Sequence, residues 1–168
     1  MNIPELKVVV GTLADAYDAG CDTVQLKHPG GPVTLDCVDG RVNISWRHKF
    51  ENAFIMQLNA DEHFNGVFLA TKTVQDIYMV HDCIEMNGVD LKQEPYRVRY
   101  VQCKANVTRL GPMFCLVPSH PIIQAGHLWR TEVVPNDLNG LVCRRSMDDV
   151  WGTLWVMRHY KEAPGELV

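Results

Sequence analysis

The stretch from Thr23 to Trp46 constrains the fold more than any other part of this 168-residue chain. Apolar and polar residues alternate there in three short runs, as in strands that bury one face. The runs are 23–28, 33–38 and 41–46. Asp39-Gly40 is a favoured dipeptide of two-residue hairpin turns, because both positions need positive φ, and 29–32 is a proline and glycine turn cluster. The sequence therefore predicts a three-stranded antiparallel meander over 23–46.

The lengths of the two turns fix the pairing of these predicted strands. A two-residue loop at 39–40 pairs Cys37 with Val42, Leu35 with Ile44 and Val33 with Trp46. A four-residue loop at 29–32 pairs Leu26 with Leu35 and Val24 with Cys37. All of these apolar residues then lie on one side of the sheet, and a slip of one residue would destroy that agreement.

Three further stretches space their apolar residues as amphipathic helices do. They are 4–19, 73–87 and 147–160. Pro4 and Gly20 suit the two ends of the first stretch, and Thr73 and Gly88 suit the ends of the second. In the third, the alternation from Trp151 to Met157 also permits a strand. The predicted class is α+β, a mostly antiparallel sheet packed by about three helices.

Several shorter runs read as additional strands. They are 53–58, 66–70, 96–103, 113–117 and 128–134, with a short helix through 60–65 as an alternative connection. No linker is long enough to divide the chain. We therefore expect a single globular domain over 1–168, with 161–168 as a frayed tail.

The amino-acid composition limits the cellular compartments and binding partners that this chain can have. The 16 basic and 20 acidic residues give a net charge of −4, which provides no general attraction to phosphate backbones or anionic membranes. The six cysteines form no CxxC pair, and no apolar run approaches the ~20 residues of a membrane helix. The start of the chain does not resemble a secretion signal. These features predict a reduced, cytoplasmic protein with no membrane partner.

His81, flanked by Asp82 and Cys83, is the main catalytic candidate. A histidine in this setting can be a general base or a metal ligand. Because it lies on the apolar face of a predicted helix, a core histidine with a satisfied hydrogen bond is the ordinary interpretation. The other histidines match no compact zinc spacing, so the sequence predicts no metal and no cofactor.

Cys115 is a second candidate, as a thiol nucleophile with His120 or His127. It lies in the apolar run Phe114–Val117, where burial would raise its pKa and leave it inert. We therefore expect no thiol chemistry at this position.

The run Tyr96-Arg97-Val98-Arg99-Tyr100 is the candidate for nucleic-acid binding. On a strand, Tyr96 and Tyr100 could stack on bases. Arg97 and Arg99 would then point away from them, as in an ordinary core strand with a solvated arginine face. Together with the acidic net charge, this arrangement makes nucleic acid an unlikely partner.

The positive feature of the sequence is a surplus of apolar residues in its last third. Aromatic residues, methionine and arginine are enriched at the centres of protein interfaces. The candidate interface residues are Ile122, Ile123, Trp129, Trp151, Trp155, Met157 and Arg158. The leading hypothesis is a non-catalytic protein-interaction module that binds another protein or itself, such as a small accessory or inhibitor protein of phage type.

Two interpretations compete with that hypothesis. The same apolar residues could simply complete the core. The chain could also be a hydrolase or a metal-dependent enzyme that uses His81 with scattered histidine, cysteine and aspartate residues.

Overall fold

The computed structural model describes residues 7–47, 55–59, 64–147 and 153–159. These residues form an α+β fold with mostly antiparallel pairing, which confirms the predicted class. The elements in chain order are β1 (Lys7–Val10), α1 (Leu13–Asp18), β2 (Thr23–Lys27), β3 (Gly31–Val38), β4 (Arg41–Trp46), β5 (Ile55–Asn59), β6 (Gly66–Lys72), β7 (Tyr78–Met86), β8 (Val89–Asp90), α2 (Tyr96–Leu110), β9 (Phe114–Leu116), β10 (His120–Pro121), α3 (Ala125–Leu128), β11 (Gly140–Arg144) and β12 (Thr153–Arg158). A 3-10 turn at Ile122–Gln124 precedes α3, and a π-helical turn at Trp129–Val133 follows it.

The contacts divide the chain into two compact units. Of the described residues, unit 1 comprises 7–28, 94–97, 118–147 and 153–159, and unit 2 comprises 29–47, 55–59, 64–93 and 98–117. The expectation of one globular domain over 1–168 stays a prediction. The tail at 161–168 lies outside the described residues.

Unit 1 contains a five-stranded sheet in the order β1-β12-β11-β2-β10. Strands β1 and β12 run parallel, and the other neighbours are antiparallel. One face of β2 and β11 packs on the helical segments in a single apolar cluster. Its buried members are Ala16, Cys21, Val24, Ile122, Ala125, Leu128, Val133, Leu138, Leu141 and Cys143.

Unit 2 contains a seven-stranded sheet in the order β5-β4-β3-β6-β7-β8, with β9 parallel to β7. Helix α2 contributes Cys103, Val107 and Leu110 to its core. The remaining buried members are Val33, Leu35, Cys37, Val42, Ile44, Phe64, Phe68, Ala70, Tyr78, Val80, Cys83, Leu91 and Phe114.

The hairpin of β3 and β4 has the predicted register. Cys37 pairs with Val42, Leu35 with Ile44 and Val33 with Trp46. Asp39 and Gly40 have φ of 49° and 79°, as a two-residue turn of this type requires.

The first strand of the predicted meander is confirmed as β2, but its predicted pairing with β3 is wrong. β2 pairs with β11 and β10, so Leu26 lies opposite Leu141 and not opposite Leu35. The free edge of β3 is taken by β6. Gly30, at φ 144°, lies against the Lys72 carbonyl with no room for a Cβ atom, which makes this glycine part of the β3–β6 contact and not of a hairpin to β2.

The predicted helix at 4–19 is wrong in its first half, because β1 occupies 7–10 and α1 begins only at Leu13. Val8, Val9 and Val10 are β-branched and fit a strand better than a helix. Thr12 then starts the helix through a capping box, in which its backbone N–H donates to Asp15 Oδ2 at 2.8 Å. Residues 4–6 lie outside the described part of the chain.

The predicted helix at 73–87 is also wrong, since a turn leads into strand β7 there. Thr73 accepts the Asp76 backbone N–H, and Asp76 has φ 61°, which ends any helical path. Tyr78, Val80 and Asp82 alternate with less buried residues. The apolar residues of this stretch therefore fit both the spacing of a helix and the two-residue alternation of a strand. Pairing with neighbouring strands selects the strand.

The predicted helix at 147–160 is replaced by β12, which confirms the alternative strand. Residues 148–152 and 160 lie outside the described part. The opposite error occurs at 96–103, where α2 replaces a predicted strand. Its fifteen residues contain no glycine or proline, and Pro95 precedes the first turn, where proline is favoured.

The remaining short strands are confirmed at 66–70 and 113–117, by β6 and β9. β5 covers the described part of 53–58. The predicted strand at 128–134 is helical instead, and the alternative helix at 60–65 falls mostly outside the described residues.

The surroundings of Tyr78 in unit 2 lead to a prediction about stability. Its side chain is fully buried and stacks on Phe114 at 5.0 Å, while its hydroxyl has no hydrogen-bond partner in the described structure. Burial raises the pKa of Tyr78, so the phenol stays neutral. Tyr78→Phe should leave the free energy of unfolding unchanged or raise it by up to about 1–3 kcal/mol, because an unsatisfied buried hydroxyl costs that much.

Tyr100→Phe is the matched control for that measurement. The Tyr100 hydroxyl donates to the Val117 carbonyl at 2.9 Å, so its removal should cost about 1 kcal/mol. Both variants are compared with the wild type by urea denaturation. A Tyr78→Phe variant that is as destabilised as Tyr100→Phe would contradict the assignment.

Candidate functional site

The sheet of unit 1 has one apolar face and one polar face. Side chains alternate along a strand, so Val24 and Leu26 of β2 lie on the core side, and Gln25 and Lys27 lie on the other. The register of β11 extends both faces. Gly140 pairs with Lys27, and Arg144, four residues further along β11 and on the same face, pairs with Thr23. This second face is the candidate site.

A row of two cations and a glycine crosses three strands of this face. Gly140 of β11 pairs with Lys27 on one side and with Arg158 of β12 on the other. Two strand spacings separate Lys27 from Arg158, or roughly 9.5 Å between their Cα atoms. Gly140 has φ 142°, and a Cβ atom there would collide with the Met157 carbonyl. The space between the two cations therefore has no intervening side chain from β11.

The row lies at the more accessible end of the face. Lys27 is 9% exposed and Arg158 is exposed, whereas Gln25 is only 2% exposed. A lysine is rarely buried to this degree unless it is paired or serves a function.

A buried polar cluster occupies the other end. Gln25 Oε1 accepts hydrogen bonds from Tyr96 Oη at 2.9 Å and from Arg144 Nε at 3.2 Å. The guanidinium carbon of Arg144 lies 4.0 Å from the centroid of the Tyr96 ring, as in a cation–π contact. All three side chains are at most 4% exposed.

The face is strongly cationic. Its described positions on β2, β11 and β12 carry Lys27, Arg144 and Arg158 and no aspartate or glutamate. Cations concentrated on one surface attract polyanions and supply charge-assisted hydrogen bonds to phosphate oxygens. The arrangement can therefore bind a phosphate group between Lys27 and Arg158.

The sequence-predicted catalytic residues lie in unit 2. His81 and Asp82 lie on strand β7, where the pairing with β6 shifts register between Val80 and Asp82, so they do not share a helix face. Asp82 is buried and paired with Arg99, whose Nε lies 2.9 Å from Asp82 Oδ1. Asp82 Oδ1 also accepts the Cys83 backbone N–H at 2.8 Å.

The run of tyrosine and arginine residues predicted as a strand is the first half of helix α2. The predicted strand is therefore wrong. Tyr96 and Arg99 are buried and hydrogen-bonded, Tyr100 is half-buried, and Arg97 is exposed. The side chains therefore do not form the two-faced strand on which bases could stack.

The candidate interface residues are divided between core and surface. Ile122 is buried, and Trp129 and Met157 pack against the core of unit 1. Among the described members of the set, Ile123 is 82% exposed and Arg158 is exposed. Trp151 lies outside the described residues, as does the side chain of Trp155. Their role in an interface stays a prediction.

Within the described ranges, no three histidine, cysteine, aspartate or glutamate side chains gather as a metal site would require. Likewise, no helix of the described chain is long and apolar enough to cross a membrane.

The expected burial of Cys115 is wrong, because its side chain is exposed, whereas the other five cysteines are buried. Burial raises the pKa of Cys37, Cys83 and Cys143 to about 12, so these thiols stay protonated at neutral pH. Residue Cys115 lies on the three-residue strand β9, where alternation turns it outward between Phe114 and Leu116.

Thiol titration at pH 8 with a disulfide reagent should therefore show one fast equivalent in the native protein and six after denaturation, because only the thiolate reacts. The fast equivalent should disappear in Cys115→Ser. A native protein that reacts at several thiols at the fast rate would contradict the described burial.

Lys27 is the site residue that sequence reasoning missed. The alternation of β2 predicts a solvated position for Lys27, because a polar residue in an alternating strand usually faces water. The available signal was its position as the last residue of a strand, with only His28 between it and a proline and glycine cluster. That signal became meaningful only when β11 placed Gly140 beside Lys27.

Comparison with known proteins identifies the fold. No known protein-family model matches the chain, and no curated protein matches it. Among solved structures, it is similar to mycobacterial DNA ligase D complexed with ATP and MES, with a TM-score of 0.67 and 12% identity over 93% of this chain. It is also similar to the ligase domain of M. tuberculosis LigD, with a TM-score of 0.64 and 11% identity over 93% of this chain. The chain spans 60% of the length of each.

This likeness corrects the functional hypothesis drawn from the sequence. The fold is that of DNA ligase domains, one of them solved with ATP, and not that of a separate class of accessory or inhibitor proteins. The predicted non-catalytic interaction module, with another protein or itself as partner and nucleic acid unlikely, is therefore wrong.

Proposed function

We propose that this chain binds ATP and handles the nucleotide in a ligase-type reaction that joins nucleic-acid ends. The observation that carries the proposal is the cationic face of unit 1, with Lys27 and Arg158 on either side of Gly140. The ATP in the structure of DNA ligase D supports the choice of ligand. The predicted cytoplasmic location is compatible with this proposal and remains part of it.

The two ends of the cationic row have different chemistry. Arg158 carries a planar guanidinium that can hold two phosphate oxygens at once, whereas the Lys27 ammonium is a compact charge on a flexible stem. Because Gly140 leaves the space between them open, a phosphate group can contact both cations together. We assign the triphosphate of ATP to this row.

Lys27 can also form a covalent bond to the nucleotide. A lysine amine is a recognised nucleophile in covalent catalysis, and a guanidinium is not. In the proposed step, Lys27 Nζ attacks the α-phosphorus, and a P–N bond forms. The bond from the α-phosphorus to the bridging oxygen breaks, pyrophosphate leaves with the electron pair, and the proton of the attacking amine passes to solvent. The activated nucleotidyl group can then be transferred to a nucleic-acid end.

The proposal is tested with the purified chain and two radiolabelled forms of ATP. Label at the α-phosphate should remain with the protein on denaturing gels, and label at the γ-phosphate should not. The bond should be labile in acid and stable to hydroxylamine, as a P–N bond is. Calorimetry should show ATP binding that weakens with added salt.

A second experiment tests whether the chain binds nucleic acid. A nicked DNA or RNA duplex should bind with affinity that falls steeply as salt rises, because phosphate contacts release counterions. Absence of ATP binding, of α-label and of duplex binding at low salt would overturn the proposal.

A further inference from the structure

The cluster of Gln25, Tyr96 and Arg144 has no role in the proposed phosphate contacts. Its side chains are at most 4% exposed, and burying polar groups is costly unless their hydrogen bonds are satisfied. Apolar side chains of similar volume often stabilise a buried site as well or better. The retention of a polar network next to Lys27 therefore calls for a role other than stability.

The network fixes the orientation of the Gln25 side chain. Arg144 Nε can only donate a hydrogen bond, so the Gln25 atom 3.2 Å from it must be the carboxamide oxygen. Tyr96 Oη lies 2.9 Å from the same oxygen. With two donors on one oxygen, the carboxamide has a single favoured orientation.

Gln25 is the residue that precedes Lys27 on the same face of β2. The two residues share a face of β2 and are separated by about 6.7 Å along the strand. Opposite Lys27 stands Gly140, which offers no side chain for the lysine stem to pack against. On this face of β2, Gln25 is therefore the side chain nearest to Lys27 in the N-terminal direction.

The backbone around Tyr96 is also anchored to this sheet. The Arg97 N–H donates to the Ser146 carbonyl at 2.9 Å, directly after β11. Ser146 is held by Asp22, whose two carboxylate oxygens accept its N–H and its hydroxyl, each at 2.7 Å. The Tyr96 hydroxyl thus reaches Gln25 from a position fixed by three hydrogen bonds within unit 1.

We propose that Tyr96 is a positioning residue which, through Gln25, holds the Lys27 amine where it meets the phosphate of the nucleotide. This inference rests on the proposed function and identifies what prepares its nucleophile.

The test compares Tyr96→Phe with the wild type and with Tyr17→Phe, whose hydroxyl is on an exposed residue of the same unit. The first readout is the acetylation rate of Lys27 with acetic anhydride, without nucleotide, relative to the exposed Lys104 in the same sample. The second is the rate of α-phosphate labelling. In Tyr96→Phe we expect a changed Lys27:Lys104 ratio and roughly tenfold slower labelling, the equivalent of one net hydrogen bond. Tyr17→Phe should change neither readout.

A double-variant cycle shows whether the effect passes through Gln25. Gln25→Met removes the shared acceptor, so Tyr96→Phe should add no further loss of labelling in that background. Additive losses, or an unchanged Lys27:Lys104 ratio in folded Tyr96→Phe, would overturn the inference. If Tyr96→Phe does not fold, Gln25→Met alone provides the same acetylation comparison.

The two proposals fail in different ways. A wild-type protein that binds no ATP and takes up no label refutes the proposed function. In that case the acetylation ratios alone test whether Tyr96 positions Lys27. Normal wild-type labelling that Tyr96→Phe leaves unchanged refutes the positioning role alone.

Discussion

Lys27→Met should abolish labelling of the protein from the α-phosphate of ATP, with a loss of at least roughly a thousandfold. Removing a nucleophile or a single transition-state contact has effects of this size or larger in enzymes. The same change should weaken ATP binding about tenfold to a hundredfold, since a hydrogen bond to a charged group contributes about 1.5–3 kcal/mol. Calorimetry and gel labelling measure the two losses separately.

Lys27→Arg separates the two roles of this residue. The guanidinium keeps the positive charge and can hold phosphate, but it cannot form the P–N bond. Labelling should therefore be lost while most of the ATP affinity remains. Lys104→Met is the matched control, because it removes an exposed lysine of helix α2 from outside the site. Full labelling of Lys27→Met would show that another residue is the nucleophile.

The fold was predictable where neighbouring residues determine it. The β3–β4 hairpin follows from Asp39-Gly40 and two alternating runs, which are local features. The partner of β2 was not predictable in this way, because its alternation fits any strand of similar pattern, and β11 lies more than a hundred residues further along the chain. Nearness in sequence favoured β3, and the edge taken by β6 excluded it.

The errors in helix and strand have a related cause. Over 73–87, the same apolar residues satisfy a helical arc and a two-residue alternation, and pairing with β6 and β9 selects the strand. Over 96–103, the alternation resembled a strand, but the absence of glycine and proline over a longer window was the better signal.

The candidate site depends on those long-range pairings. Lys27, Gly140 and Arg158 come from three strands that meet only in the folded sheet, and none of them belongs to a compact motif. Tyr96 reaches Gln25 only because α2 begins beside β11. Sequence spacing could identify none of these contacts, and His81 attracted attention because its neighbours in sequence are titratable.

Asp82→Leu should lower the free energy of unfolding by about 3–5 kcal/mol, because it removes the carboxylate that pairs with the buried guanidinium of Arg99. The two side chains are 2% and 1% exposed and are joined at 2.9 Å, so the solvent cannot replace the lost partner. Urea denaturation followed by circular dichroism measures the loss. Lys92→Met, which breaks the more exposed pair with Asp90, should leave the midpoint nearly unchanged.

The double variant Asp82→Leu/Arg99→Met distinguishes a lost ion pair from a lost packing position. With both charges removed, most of the stability should return, because buried ion pairs are often replaceable by apolar side chains. Recovery should be incomplete, since the Cys83 N–H still lacks the acceptor that Asp82 provided. A double variant as unstable as Asp82→Leu would show that the carboxylate acts mainly through its backbone contact. ATP labelling in the folded double variant should match the wild type, because neither residue belongs to the cationic face of unit 1.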